Sequence, residues 1–178
     1  MIDMLIHDKR LLGSSPAIAQ NTYEVDGTVP VAHILGWTNT VARGTPGGLR
    51  RLIIMCHGFV SADSHRGGYG LQLGSDGITG TTHHFFSQLR DAVKAIILYA
   101  CKPVDRDARR GQSGMMLFQQ IAHMANCYVV GSDSDQVYTY GTTPGSTPID
   151  FGKWEGKVFL IAPNGNHQEI DPDFSLPD

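Results

Sequence analysis

An imidazole and a thiol stand 44 residues apart in this chain, each at the end of a short apolar run. Leu52-Ile53-Ile54-Met55-Cys56 leads into His57-Gly58, and Ala95-Ile96-Ile97-Leu98-Tyr99 leads into Ala100-Cys101. A cysteine attacks as its thiolate, and an ordinary thiol pKa of about 8.5 leaves it mostly protonated near neutrality unless a base or a positive charge lies beside it. Histidine supplies either, because it titrates in the physiological range. Gly58 lets the backbone approach a substrate carbonyl, so its N–H and that of Cys101 can together hold an oxyanion. This is the minimal equipment of a cysteine hydrolase.

The elements that must bring these groups together are buried strands. Runs that are apolar at every position, without alternation, read as strands covered on both faces, which in an α/β domain means a parallel sheet. Side chains at the carboxyl ends of such strands meet in the crevice where ligands bind. Thr81 or Thr82 can cap a helix running through His83 to Val93, with Phe85, Phe86, Leu89 and Val93 at helical spacing. A second helix starts at Ser113, with Leu117, Ile121 and Met124 on one face, and the strand Cys127–Val130 follows. Strand, helix, strand, helix, strand over residues 51–130 indicates an open parallel sheet with crossover helices.

The flanks are less patterned. Met4-Leu5-Ile6 reads as an edge strand, Val31–Leu35 as a short strand, and Thr45-Pro46-Gly47-Gly48 as a turn. A polar loop is expected over Phe59–Gly68, then a small strand at Tyr69–Leu73. Gln136–Tyr140 and Lys157–Ile161 read as strands, and Asn164-Gly165 signals a hairpin into His167–Ile170.

Composition sets the outer bounds. A chain of 178 residues, 41% hydrophobic and 17% charged, is expected to fold as a single globular domain over 1–178. A net charge of −3 gives no reason to expect nucleic acid or an anionic membrane as partner. No apolar stretch approaches a membrane span, and Asp3 and Asp8 stand where a signal peptide carries bases. Three cysteines without paired spacing read as free thiols, and a cytoplasmic location is expected.

The two strand endings resemble those of the caspase-like clan of cysteine peptidases, in which a His-Gly at one strand end precedes an Ala-Cys or similar dipeptide at the next. Against the caspase signature Q-A-C-[RQG]-G, Tyr99-Ala100-Cys101-Lys102-Pro103 matches only the Ala-Cys core. The chain is more similar to bacterial caspase-like domains, including CHAT domains. That likeness rests on Gly70-Leu71-Gln72-Leu73-Gly74, Leu98-Tyr99-Ala100-Cys101, Gly114, the 117–125 helix and Val129-Val130-Gly131-Ser132. It spans about residues 51–140. It implies an α/β, three-layer caspase-like fold: a mostly parallel central sheet, helices on both faces and a C-terminal β-hairpin. It also implies Cys101 as nucleophile, His57 as general base and Gly58 as oxyanion-hole residue. The partner would be a protein or peptide substrate, with an activating partner or a homodimer left open. No cofactor is called for.

Specificity is read from fewer residues. Basic-specific members of the clan commonly carry an acid two residues before the cysteine, where this chain has Tyr99. Asp133 and Asp135, after the next strand, are the alternative acids, as is Asp63, although capping a turn or facing solvent is their simpler role. The charged segment Lys102–Gly111 reads as a solvated loop or, by resemblance, a processing loop. Cys56 and Cys127 read as core. His33, His65, His83, His84, His123 and His167 lack metal-ligand spacing and read as surface groups, and the glycines at 67, 68 and 70 lack the context of a phosphate cradle. Tyr69, Tyr138, Tyr140 and Trp154 suit a cleft wall, with packing as the default.

Three functions compete. The first is a cysteine endopeptidase with a His-Cys dyad. The second is a catalytically silent caspase-like interaction module. The third is another thiol-dependent acyl-transfer hydrolase, which would place its nucleophile on a glycine-flanked elbow that Cys101 lacks.

Overall fold

In chain order the strands are β1 (Ile2–Asp8), β2 (Asn21–Val25), β3 (Leu49–Met55), β4 (His57–Val60), β5 (Tyr69–Gln72), β6 (Val93–Tyr99), β7 (Tyr128–Ser132), β8 (Val158–Ile161) and β9 (His167–Ile170). Among the described residues they are joined by two α-helices, α1 (Val31–Gly44) and α2 (Gly114–Ala125), and a 3-10 helix (His83–Leu89). This computed structural model describes residues 1–60, 69–106, 114–143 and 147–173. Asp63, His65, Gly67, Gly68, Ser113 and the 107–111 part of the charged loop lie outside the described residues.

Seven strands form one sheet in the order β2-β1-β3-β6-β7-β8-β9, and β4 pairs with β5 as a separate antiparallel ribbon. The pairs β2–β1, β1–β3, β3–β6 and β6–β7 are parallel, while β8 and β9 are antiparallel. The unbroken apolar runs of β3 and β6 lie side by side, as expected, because each presents apolar groups to both faces. Leu52, Ile54, Ile96 and Leu98 pack toward one face and Ile53, Met55, Ala95 and Ile97 toward the other.

Each face is covered differently. Ile34 and Leu35 of α1, Phe86 and Leu89 of the 3-10 helix, and Phe118 and Ile121 of α2 all join the same core cluster. The opposite face meets Leu11, Ile149 and the rings of Tyr138, Phe151 and Trp154, which belong to irregular segments. Helices on both faces were expected; among the described residues the second outer layer is loop. An aromatic stack gives that loop layer its order. Tyr99 stacks on Trp154 (4.5 Å) and on Phe151 (5.0 Å), Phe151 leans on Tyr138 (5.5 Å), and Tyr138 stacks on Tyr140 (5.7 Å). This packing takes the place of the strand expected over Gln136–Tyr140, where only an isolated bridge between Thr139 and Asp150 forms.

Two further local expectations are corrected. Met4-Leu5-Ile6 is not at an edge: β1 pairs on both sides and these three side chains are fully buried, the edge being taken by β2. Val31–Leu35 is not a strand but the first turn of α1, whose buried Val31, Ile34, Leu35, Thr38 and Ala42 follow helical spacing. Its first N–H, from Val31, is accepted by Asp76 Oδ1 at 2.8 Å, a cap supplied from 45 residues away.

The segment read as a helix through Val93 is shorter and tighter. It is a 3-10 helix ending at Leu89, with Asp91 at φ 61° and Val93 already in β6. His83, His84, Phe85, Phe86 and Ser87 are indifferent helix formers. Phe86 and Leu89, the two buried residues, lie three apart and so share a face in this geometry. Thr82 is the N-cap residue as expected, but its hydroxyl makes no capping hydrogen bond and instead donates to the Gly77 carbonyl at 2.6 Å.

Helix α2, the turn at Gly47 and Gly48 (φ 81° and 77°) and the hairpin through Gly165 (φ 84°) form as expected.

Asp3 of β1 is buried and carries a charge that the fold neutralises locally. Arg50 Nε (3.0 Å), Arg50 Nη2 (2.5 Å) and Arg51 Nη2 (2.5 Å) donate to its carboxylate. Burial alone would raise this carboxyl, but the hydrogen bonds and charges of the two arginines outweigh it and bring it down to about 2 from 3.8. Its contribution to stability is therefore full above pH 4 and is lost as pH falls through 2. Because both guanidinium groups are well exposed, that contribution is about 1–2 kcal/mol. Urea unfolding at pH 4.5 and pH 2 is expected to show wild type losing that much more than Asp3→Asn.

Candidate active site

The carboxyl ends of β1, β3, β6 and β7 form one rim of the sheet, and the rim is where polar residues collect. Met55 of β3 pairs with Tyr99 of β6, so His57 and Cys101 each follow two residues beyond the same rung. The Cys56 N–H donates to the Tyr99 carbonyl at 3.2 Å, which carries the pairing one step further. The chain then turns out of the sheet into β4.

Gly58 and Cys101 are in direct backbone contact. A Cβ placed on Gly58 would lie 2.0 Å from the Cys101 carbonyl oxygen and 3.3 Å from its Cα. No side chain fits there, so glycine is required by close approach.

The same carbonyl is held from a third side: the Tyr69 hydroxyl of β5 donates to it at 2.7 Å. Lys102, the next residue, has φ 49°, a left-handed conformation that costs a non-glycine residue about 1–2 kcal/mol. Its N–H donates to the Ser134 carbonyl at 3.0 Å. The Cys101–Lys102 peptide is thus fixed at both its oxygen and its nitrogen.

His57 is oriented by the backbone. Its Nε2 lies 3.1 Å from the Arg10 carbonyl oxygen, which can only accept, so Nε2 carries the hydrogen. In the neutral ring, Nδ1 then keeps its lone pair and is the nitrogen able to take a proton.

Arg10 is itself anchored. Asp8, fully buried at the end of β1, receives Arg10 Nε at 2.8 Å, Arg10 Nη2 at 2.5 Å and the Gly74 N–H at 2.9 Å. Arg10 Nη2 also donates to the Gly74 carbonyl at 2.7 Å. This buried pair ties β1 to the segment after β5, and the Arg10 carbonyl reaches His57 from it. Neither Asp8 nor Arg10 was singled out from the sequence. The usable signal was that Asp8, like His57 and Cys101, closes an apolar run.

The three thiols sit in different surroundings. All are free; Cys101 is half-buried, while Cys56 and Cys127 are buried in the helix-side core. Burial, with smaller effects from the charges of Asp8 and Cys101, pushes the Cys56 thiol well above its ordinary value against a slight lowering by Arg10. Burial alone pushes Cys127 up to about 12.

The residues proposed for specificity are placed as follows. Asp133 Oδ1 accepts the Lys157 N–H (3.0 Å) and the Ser134 hydroxyl (3.1 Å), holding the turn after β7, and Arg106 lies 3.9 Å from its other oxygen. Asp135 is two-thirds exposed and faces Lys102 Nζ at 3.6 Å. Tyr99 stacks on both Phe151 and Trp154, and burial, partly offset by Arg51, raises its hydroxyl. Of the histidines, His83 bonds the Gly80 carbonyl and His167 lies against Gln119. Among the described residues no three His, Cys, Asp or Glu side chains are grouped to hold a metal, and no helix is long and apolar enough to cross a membrane.

No protein-family model and no curated protein matches this chain.

Proposed function

We propose that the protein is a cysteine endopeptidase that uses His57 and Cys101 as a dyad, as its resemblance to the caspase-like clan implies. The observation that carries this reading is the backbone contact between Gly58 and Cys101 at the carboxyl rim of two neighbouring parallel strands. A structural cysteine would not need a glycine pressed against its carbonyl, and the residue before that glycine is a histidine whose Nε2 is held by the Arg10 carbonyl.

The chemistry runs as acyl transfer. The Cys101 thiol gives its proton to His57 Nδ1, and the thiolate adds to the scissile carbonyl carbon. The Gly58 and Cys101 N–H groups stabilise the oxyanion. The C–N bond breaks, the imidazolium returns its proton to the leaving amine, and a thioester remains on Cys101. Water, losing a proton to His57, hydrolyses the thioester and restores the thiol. The Arg10 carbonyl favours this cycle because it stabilises the Nε2–H of the imidazolium and leaves Nδ1 as the nitrogen that can exchange a proton.

Of the two acids considered for a basic substrate residue, Asp135 is the one free to exchange partners, since its exposed pair with Lys102 is worth under about 1 kcal/mol. Asp133 is committed to the turn.

A positional-scanning fluorogenic peptide library is the direct test. Wild type is expected to cleave a subset of peptides, and Cys101→Ala to lose that cleavage by at least about a thousandfold. Equal cleavage by both, or none by wild type, overturns the proposal; retention of a protein partner by an inactive wild type would support the interaction module instead.

A further inference from the structure

We propose that Tyr69 is a positioning residue for acyl transfer at Cys101, an inference that rests on the reading of Cys101 as the nucleophile. The Tyr69 side chain is buried, and its hydroxyl donates to the Cys101 carbonyl at 2.7 Å. That carbonyl oxygen is the atom a Gly58 Cβ would strike. Tyr69 therefore sets how Gly58 and Cys101 lie against one another, and with that the spacing of the two amides that face an oxyanion. β5 supplies this hydroxyl because it pairs with β4, with Tyr69 opposite Val60 and Leu71 opposite Gly58. The β4–β5 ribbon thus meets the Cys101 carbonyl with both of its strands, through Gly58 of β4 and Tyr69 of β5.

The conformation it holds is not a relaxed one. Lys102 sits at φ 49°, and its N–H is taken by the Ser134 carbonyl. A non-glycine residue leaves this region when nothing opposes it. The two hydrogen bonds on the Cys101–Lys102 peptide, together with the Asp105 N–H that donates to the Lys102 carbonyl at 3.1 Å, oppose it, and Tyr69 makes the one on the nucleophile's side. Strain that is over-determined by its surroundings in this way fixes geometry in advance of the reaction.

Two reagents separate positioning from thiol activation. Iodoacetamide alkylation is a displacement at carbon: the thiolate forms the S–C bond as iodide leaves, and no oxyanion develops. With p-nitrophenyl acetate the thiolate adds to the ester carbonyl, the oxygen becomes negative, and p-nitrophenolate leaves behind an S-acetyl Cys101. Both rates are read at Cys101 by mass spectrometry in the full chain, with thermal melting to verify folding. In Tyr69→Phe the acylation rate is expected to fall about tenfold or more, with the iodoacetamide rate within about twofold of wild type. Adding Lys102→Gly, which accepts a positive φ without strain, is expected to recover most of the lost acylation.

Acylation at the wild-type rate in Tyr69→Phe overturns the proposal. So does a fall in both rates together that Lys102→Gly does not restore, since Tyr69 would then serve stability alone. If wild-type Cys101 is alkylated no faster than Cys101 in His57→Ala, the nucleophile reading itself fails and the proposal falls with it, an outcome distinct from a reactive wild type with an indifferent Tyr69→Phe.

Discussion

At pH 8 the folded protein is expected to take up iodoacetamide at Cys101 at least about a thousandfold faster than at Cys127, and faster still than at Cys56. The margin comes mainly from what the fold does to the other two thiols. Burial pushes Cys127 up to about 12, so its thiolate population at pH 8 is about one part in ten thousand. An ordinary exposed thiol is about one quarter ionised at the same pH. Cys56 is pushed higher than Cys127, and both are closed to solvent by the core around them. Cys101 keeps part of its surface in water at the rim of the sheet. In concentrated guanidinium chloride the three rates should converge to within a few-fold, because the difference belongs to the folded state. Slow and equal labelling of all three in the native protein would remove the basis for assigning chemistry to Cys101.

Asp8→Ala is expected to destabilise the fold by about 3 kcal/mol and to slow Cys101 alkylation at the same time. Removing one partner of a buried, hydrogen-bonded ion pair leaves the other charge and its donors unpaired, a loss of about 3–5 kcal/mol in general. The low end applies here because Arg10 keeps about a third of its side chain in water. The Gly74 N–H also loses its acceptor. A guanidinium chloride titration should show a lower midpoint with an unchanged slope. Loss of reactivity follows because the Arg10 carbonyl that orients His57 is placed by the same pair. Asp8→Asn, which can still accept from Gly74, should fall between the two. An Asp8→Ala protein of wild-type stability would show that the pair is incidental.

The sequence made β3 and β6 readable for a simple reason: a strand buried on both faces needs apolar residues without interruption, and both runs have them. Their neighbourhood, which brings Gly58 against Cys101, is what strand order led one to expect. Elements stabilised by distant partners were not readable in that way. Val31–Leu35 looks like a strand when its five residues are taken alone, and only burial of Thr38 and Ala42 on the same stripe, with a cap from Asp76, shows the helix. β1 was misplaced at an edge because Asp3, His7 and Asp8 look like surface residues. Each is buried on partners that lie elsewhere in the chain or outside the strand: Arg50 and Arg51 for Asp3, Ser15 and the Leu11 carbonyl for His7, Arg10 and Gly74 for Asp8. Tyr69 was noted as a ring for a cleft wall, whereas its hydroxyl is what touches the site. Local spacing carries no record of a hydroxyl meeting a carbonyl 32 residues away.

The parallel pairings also govern how the chain reaches this state. Met4 meets Leu52 and Met55 meets Tyr99, so more than forty residues must be gathered into a loop before either central pair can zip. Such closures lose chain entropy before any contact returns it, which makes refolding slower than for a helical bundle of equal stability. During synthesis Met4-Leu5-Ile6 lacks its β3 neighbour until some forty more residues have emerged. Warm, rapid expression therefore favours clumping over maturation, and slow synthesis in the cold is the gentler route to soluble material.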